Sequence, residues 1–153
     1  MNYRSEERGA KSEGMDLRLL GIDLGEKRIG LAVSDPMGMI ASPAGFIVRR
    51  RGKKIPVAPL IAQAATLGAE GFVVGLPLDG NGDETPRSAD ARWLASELTK
   101  RTGLPARLVD ERFTTAAARR AIREMQGSTE GRRGDVDALA ATVLLQHALG
   151  LAG

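Results

Sequence analysis

The order of the apolar segments is the feature of this sequence that most limits its fold. Three short apolar runs, at 17–23, 28–34 and 40–48, follow one another with short links between them. The link at 24–27 contains a glycine, which predicts a β-hairpin between the first two runs. Pro36 and Gly38 precede the third run. We therefore expect three consecutive strands in an antiparallel meander.

The remainder of the chain alternates between helical and strand patterns. Apolar residues at 59–67 have helical spacing, and Gly68 follows where a helix would end. Thr85, Pro86 and Gly103 suit the N-cap, the first turn and the end of another helix. The elements predicted after the meander are a helix at 59–67, a strand at 72–75, a loop at 76–87, a helix at 87–101, a strand at 106–110, a helix at 114–125, a loop at 126–134 and a helix at 135–149.

This βββαβαβαα order predicts a protein of the α/β class. Because parallel strands need helical crossovers, we expect a mixed five-stranded sheet, a three-strand antiparallel meander plus two parallel strands, with helices on both faces. Residues 1–16 are polar and aperiodic, which predicts a disordered tail, and 17–150 should form one domain. Trp93, Leu94 and residues 143–145 lie in predicted helices and are expected in the core.

The composition excludes several functional classes. The chain has no cysteine and one histidine, His147, so a disulfide framework, a thiolate metal site and a cysteine nucleophile are excluded. It lacks a signal peptide and any apolar run of about 18 residues, which favours a cytoplasmic protein without a membrane partner. The net charge of +3, with basic clusters at 49–54, 119–120 and 132–133, favours an anionic partner such as nucleic acid.

Three acidic positions could carry chemistry. Asp23 ends the first apolar run, Glu111 follows the last predicted strand, and Asp137 opens the final helix. Carboxylates brought together repel one another unless a cation lies between them, and oxygen ligands suit Mg²⁺ or Mn²⁺, which activate water against a phosphate. Simpler roles remain open from the residues alone, because Asp23 could belong to a turn, whereas Asp110, Thr114 and Asp135 could cap helices.

Four segments together resemble a known family. Residues 21–35 (GIDLGEKRIGLAVSD), 73–77 (VVGLP), 110–115 (DERFTT) and 136–141 (VDALAA) have the order and spacing of the YqgF/RuvX family. The resemblance covers nearly all of 17–149. It implies a ribonuclease H-like domain related to the RuvC resolvases. The expected activity is that of a nuclease maturing the 5′ end of pre-16S rRNA, with Holliday junction resolution as the alternative.

The resemblance also implies site residues. Asp23, Glu111 and Asp137 match the family's catalytic and metal-binding acids, and Glu111 should reach in from a neighbouring strand because 73–77 carries no carboxylate. The cofactor would be Mg²⁺ or Mn²⁺. Basic and hydroxyl side chains beside the acids are expected to bind nucleic-acid phosphates. These are Lys27, Arg28, Arg112, Thr114 and Thr115.

Other partners and functions follow from the same residues. Aromatic residues make up only 3% of the chain, so we expect recognition of backbone and shape rather than base stacking. The partners would be precursor rRNA or branched DNA, with ribosomal particles in addition, and the protein would be a monomer or a homodimer. A non-catalytic ribosome-assembly or nucleic-acid-binding factor is the alternative outside the enzymes. The loop at 78–85 is a candidate lid over the substrate. Its acids are spaced like the start of a calcium-binding loop, but Glu84 occupies the position that requires glycine, so we do not predict a calcium site there.

Overall fold

The computed structural model describes residues 17–50, 54–112 and 133–152, with the side chains of 135–150 in the last segment. The predicted tail at 1–16, the predicted helix at 114–125 and the loop residues up to 132 lie outside the described residues, as do Thr114 and Thr115. The strands are β1 Leu19–Leu24, β2 Arg28–Ser34, β3 Ala41–Val48, β4 Gly71–Leu76 and β5 Ala106–Asp110, and the helices are α1 Val57–Leu67, α2 Pro86–Thr102 and α3 Arg133–Ala152.

The strands form a five-stranded sheet in the order β3-β2-β1-β4-β5. The first three strands are joined by antiparallel pairings, whereas β1, β4 and β5 are parallel to one another. The predicted mixed sheet is therefore confirmed. Because β1 lies in the centre, its carboxyl end stands between the start of β2 and the carboxyl end of β4, and the carboxyl end of β5 follows at the same edge.

Helices cover both faces of the sheet, and strand alternation divides the core between them. Even-numbered residues of β1, such as Leu20 and Ile22, pack in one apolar cluster with α1 and α2. Leu19 belongs to the other cluster, which contains Leu144 and Leu145 of α3. A Cβ at Gly21 would lie 2.9 Å from the Cβ of Leu145, so the odd-numbered positions of β1 face α3.

Helix ends follow the chemistry expected from the sequence. Thr85 caps α2 by accepting the backbone N–H of Ser88 at 3.3 Å, and Gly103 ends that helix with φ of 75°. Gly68 ends α1 with φ of 70°. Helix α1 begins at Val57, two residues earlier than predicted, because Pro59 falls in the first turn, where the missing N–H would have no partner within the helix. Helix α3 begins at Arg133, two residues before the predicted start.

The prediction that Trp93 lies in the core is wrong. Its exposed fraction is 43%, whereas Leu94 is fully buried as predicted. The buried stripe of α2 runs through Ala91, Leu94 and Leu98, and a residue one place before Leu94 is rotated by about 100° from it. Val143 is likewise exposed, at 39%, beside the buried Leu144 and Leu145.

Within the described segments, no helix combines the length and apolar character needed to cross a lipid bilayer.

Candidate active site

Asp23 lies at the end of the central strand and faces helix α3. It shares this face with Gly21, and it is 9% exposed. Its neighbour in the β1–β2 ladder is Gly30. On the other side β1 pairs with β4, where Ile22 is opposite Val74, so the same register brings Gly75 beside Asp23. A buried acid is thus flanked by glycine on both adjacent strands.

Asp137 lies over the first of these glycines. A Cβ at Gly30 would overlap the backbone carbonyl oxygen of Asp137 and lie 3.2 Å from its Cβ. The first turns of α3 therefore rest directly on β2, next to Asp23. Only a residue without a side chain allows this close approach.

Glu111 lies over the second glycine. A Cβ at Gly75 would be 2.5 Å from Glu111 Oε2, and the backbone N–H of Glu111 donates to the carbonyl of Leu76 at 3.3 Å. Glu111 is 9% exposed. Its carboxylate therefore lies above β4 although the residue follows β5, which agrees with the expectation that it reaches in from the neighbouring strand.

The three predicted acids thus stand over neighbouring strands at one end of one sheet face. Adjacent strands are about 4.8 Å apart, so Gly30, Asp23 and Gly75 form a short row across β2, β1 and β4. Asp137 and Glu111 occupy the two ends of this row. The sheet register, rather than sequence proximity, brings the acids together.

Asp137 has a cationic partner in this arrangement. The Nε of Arg28 donates to Asp137 Oδ2 at 2.7 Å, and both side chains are about one quarter exposed. Among the described residues, no group of three or more acidic or histidine side chains is arranged to hold a metal ion. For the three acids to share a metal ion, the Asp137 carboxylate would have to release Arg28 and bind the cation instead. The donor set itself fits Mg²⁺ or Mn²⁺, since every candidate atom is a carboxylate oxygen and two of the acids are largely buried.

A cationic pocket opens beside the acids. It has a volume of about 320 Å³ and contains three basic and two acidic side chains. Its lining residues are Gly25, Glu26, Lys27, Arg28, Arg87 and Asp137. The structure therefore places the predicted Lys27 and Arg28 together with Asp137.

Arg87 was not identified from the sequence. Its guanidinium donates to the carbonyl of Leu24 at 3.2 Å, at the end of β1. The sequence signal that could have identified it is the Thr85–Pro86 cap, which marks the start of the helix that follows β4. A basic residue in the first turn of that helix must lie near the carboxyl edge of the sheet.

Arg112 has a structural partner of its own. Its guanidinium binds the Asp110 carboxylate through Nε and Nη2, at 2.9 and 2.8 Å from Oδ2, and its backbone N–H donates to Asp110 Oδ1. A Cβ at Gly82 would lie 3.0 Å from its Nη1, so the guanidinium also contacts the loop after β4. That loop is closed by Asp79, whose carboxylate accepts the N–H groups of Asn81 and Asp83. Phosphate binding by Arg112 stays a prediction.

We expect Asp110→Asn to lower the free energy of unfolding by about 1 kcal/mol at neutral pH, since it removes a charge-assisted pair. The Arg112 guanidinium holds the pKa of the Asp110 carboxyl below its ordinary value. A depressed folded-state pKa stabilises the protein above the unfolded-state pKa of about 3.9, and this stabilisation is lost as the pH falls through the folded-state value. The difference between the two proteins in urea unfolding should therefore shrink below about pH 4.

The control for this prediction is Glu97→Gln, which removes the half-buried i,i+4 partner of the exposed Arg101. A pair of this kind contributes only about 0.3–0.5 kcal/mol. A loss of stability for Asp110→Asn no larger than the control, at every pH, would contradict the structural role of the pair.

Two solved structures of RuvC have a similar fold. RuvC of Thermus thermophilus in complex with a Holliday junction substrate aligns with a TM-score of 0.55 and 19% identity, over 88% of this chain and 94% of that one. A second structure of RuvC from the same organism gives a TM-score of 0.52 and 18% identity, over 88% and 95%. At such identities the likeness shows the fold alone. The predicted ribonuclease H-like fold is confirmed.

The fold defines the class of the protein, which is one with a ribonuclease H-like domain. The sequence model described as "RuvX: Holliday junction resolvase" matches residues 17–150. The chain belongs to the RuvX family, as its four motifs predict.

Curated relatives cover nearly the whole chain. A protein of Gluconacetobacter diazotrophicus is 46% identical over 139 residues, which are 89% of this chain and 88% of the relative. One of Rhodobacter capsulatus is 44% identical over 131 residues, 86% of this chain and 82% of the relative. Both are named "Putative pre-16S rRNA nuclease". The family match and these relatives together identify the chain as a nuclease, a hydrolase acting on phosphodiester bonds.

Proposed function

We propose that this chain is a metal-dependent nuclease that processes the 5′ end of pre-16S rRNA in the cytoplasm during ribosome biogenesis. The observation that carries the proposal is the row of Gly30, Asp23 and Gly75, over which Asp137 and Glu111 approach the central acid. Three acids at one sheet edge, next to a cationic pocket, suit hydrolysis of a polyanion. The names of the relatives support the choice of RNA.

In this proposal Asp23, Glu111 and Asp137 hold Mg²⁺ or Mn²⁺ as catalytic residues. The bound cation would supply activation of water and stabilisation of charge on the phosphate. Because no histidine or cysteine is needed, the chain's own contribution is to fix the carboxylates and the substrate. Cleavage would leave a 5′-phosphate and a 3′-hydroxyl.

The cationic pocket supplies the substrate contacts. Lys27, Arg28 and Arg87 would bind the phosphates that flank the scissile one. Arg28 has a second role, since its pair with Asp137 neutralises an acid while the substrate is absent. When substrate and cation arrive, the guanidinium would move to a phosphate oxygen and release the carboxylate. Arg112, Thr114 and Thr115 are proposed as further phosphate contacts.

Two other functions have specific support. The family description favours cleavage of Holliday junctions, for which a homodimer would match the symmetry of the substrate. The Arg28–Asp137 pair favours a non-catalytic factor that binds RNA or ribosomal particles, because it occupies one of the three acids.

One experiment separates these functions. The purified protein is incubated with a pre-16S rRNA 5′ leader and with a four-way DNA junction, in Mg²⁺, in Mn²⁺ and in EDTA. Metal-dependent cleavage of the leader supports the proposal, and cleavage of the junction alone supports resolution. Binding without cleavage under every condition would favour the assembly factor.

We expect Arg87→Gln to weaken binding of the leader RNA and to reduce its salt dependence. Each phosphate contact contributes about 0.7–0.9 to the slope of log affinity against log salt, because binding releases condensed counterions. The slope should therefore fall by about one, as measured by fluorescence anisotropy at several salt concentrations.

The matched control is Lys100→Gln, which removes one exposed charge from the last turn of the same helix. Equal slopes for Arg87→Gln and Lys100→Gln would show that Arg87 does not contact a phosphate.

A further inference from the structure

A second open pocket lies next to the cationic one and is not used by the proposed reaction. Its volume is about 400 Å³. It is formed by the end of β3, the residues before α1 and the first turns of α2. Its lining residues are Arg49, Lys54, Ile55, Asp90 and Trp93.

Trp93 gives this pocket an aromatic wall. The side chain projects from α2 with 43% of the residue exposed, whereas Ile55 in the same pocket is 9% exposed. A large exposed aromatic surface beside a buried apolar residue favours a flat, hydrophobic ligand. The low aromatic content of the sequence argues against stacking, but a single aromatic side chain is sufficient where it is exposed.

The charges around Trp93 favour an anion attached to that ligand. Lys54 is exposed at the pocket edge, and Arg49 is half-buried in its wall. One Nη of Arg49 donates to Asp90 at 3.2 Å, which fixes the guanidinium in place. Two cations and one acid give the pocket a net positive charge.

Arg49 also connects the two pockets. Its other Nη donates to the carbonyl of Gly25 at 3.2 Å, and its backbone N–H donates to the carbonyl of Lys27 at 2.8 Å. Gly25 and Lys27 line the cationic pocket, so Arg49, which lines the second pocket, is bonded directly to the wall of the first. The Trp93 pocket therefore adjoins the cationic pocket, which contains Asp137.

We propose that the Trp93 pocket binds an unpaired base of a single-stranded nucleic-acid segment, with the base stacked on Trp93 and its phosphate held by Lys54 and Arg49. Stacking on an aromatic side chain tolerates any base, and the cations provide charge complementarity. This inference rests on the proposed function and deepens it, because it assigns to the substrate a single-stranded stretch beside the scissile bond. Recognition then includes base stacking as well as backbone contacts.

The chain offers a direct readout, since Trp93 is its only tryptophan. The full-length protein is titrated with a short uridine RNA oligonucleotide, the equivalent thymidine DNA oligonucleotide and an abasic DNA oligonucleotide of equal length. Stacking should quench the tryptophan fluorescence with both base-containing oligonucleotides and not with the abasic one. The ratio of the RNA and DNA affinities identifies which sugar the pocket prefers.

Three variants and the control Lys100→Gln test the contacts by fluorescence anisotropy with a labelled oligonucleotide. Trp93→Ala should weaken binding roughly five- to a hundred-fold, whereas Trp93→Phe should retain most of the affinity. Lys54→Gln should lower the salt slope by about one, and Lys100→Gln, at the other end of α2, should leave it unchanged. Trp93 is exposed, so the alanine variant should keep its circular dichroism spectrum and melting temperature.

The outcomes separate this inference from the proposed function. Unchanged affinity in Trp93→Ala, or equal quenching by the abasic oligonucleotide, would overturn the stacking site even if the leader RNA is cleaved. Quenching of the wild-type fluorescence by both base-containing oligonucleotides, together with a loss of affinity in Trp93→Ala, would support the stacking site even if the protein does not cleave the leader RNA. If Trp93→Ala binds a duplex with the wild-type affinity but binds single strands more weakly than the wild type, the assignment of the pocket to single strands is supported.

Discussion

Asp23→Asn is expected to lower the rate of cleavage by roughly 10²- to 10⁴-fold, the range produced by loss of a group that acts at the reacting centre. The substitution keeps the size of the side chain but removes its charge. Asp23 lies in the middle of the row between Gly30 and Gly75, so it is the acid best placed to share an ion with either neighbour. The measurement is single-turnover cleavage of the leader RNA in Mg²⁺ and in Mn²⁺.

Folding and binding should survive this change. Asn is isosteric with Asp, and removal of one of several crowded negative charges does not disfavour the folded state. The melting temperature and the affinity for uncleaved RNA should therefore stay close to those of the wild type. Calorimetric titration with Mn²⁺ should, in contrast, show weaker binding, which provides a readout independent of activity.

Glu97→Gln is the control, because it neutralises a carboxylate on α2 that pairs with Arg101 outside the row of acids. It should cleave at the wild-type rate. Equal cleavage by wild type and Asp23→Asn would refute the acidic site, and a wild type that binds leader RNA but never cleaves it would indicate an assembly factor.

The architecture was predictable because local signals agreed with tertiary packing. The bounds of β5, Ala106–Asp110, match the prediction to the residue, and the cap formed by Thr85, Pro86 and Gly103 sets the ends of α2 within one residue. Hydrophobic character alone predicted a core position for Trp93 and was wrong. Ala91 and Leu94 define the buried stripe, and Trp93, rotated by about 100° from Leu94 and away from that stripe, is directed to solvent.

The acids were predictable as candidates, but their neighbours were not. Positions at the ends of strands identified Asp23 and Glu111 from the sequence. The pair between Arg28 and Asp137 joins residues 109 positions apart, and nothing local to either residue indicates it. The same holds for Gly30 and Gly75, whose significance depends on the register of three strands and the position of a helix.

Gly30→Ala is expected to have the largest effect on stability, because the added methyl group would overlap the backbone of Asp137. A backbone carbonyl in a packed helix cannot rotate away as a flexible side chain can. Forcing extra volume into a packed contact costs about 1–3 kcal/mol, and we expect a value at the upper end. The displaced helix would also carry Asp137 away from Asp23, so cleavage should fall with stability. Urea unfolding and single-turnover cleavage measure the two effects.

Gly75→Ala distinguishes an effect on the active site from an effect on the stability of the fold. Its added methyl group would meet the ends of two side chains, Glu111 Oε2 at 2.5 Å and Leu144 Cδ2 at 2.9 Å. Both can shift, so the loss of stability should be smaller than for Gly30→Ala, whereas displacement of Glu111 should still slow cleavage. Gly150→Ala on α3 is the control, since nothing lies within 4 Å of the added atom, and it should raise stability by up to about 1 kcal/mol. If Gly30→Ala proved as stable and as active as this control, Asp137 could not rest on β2, and the row of acids would not form.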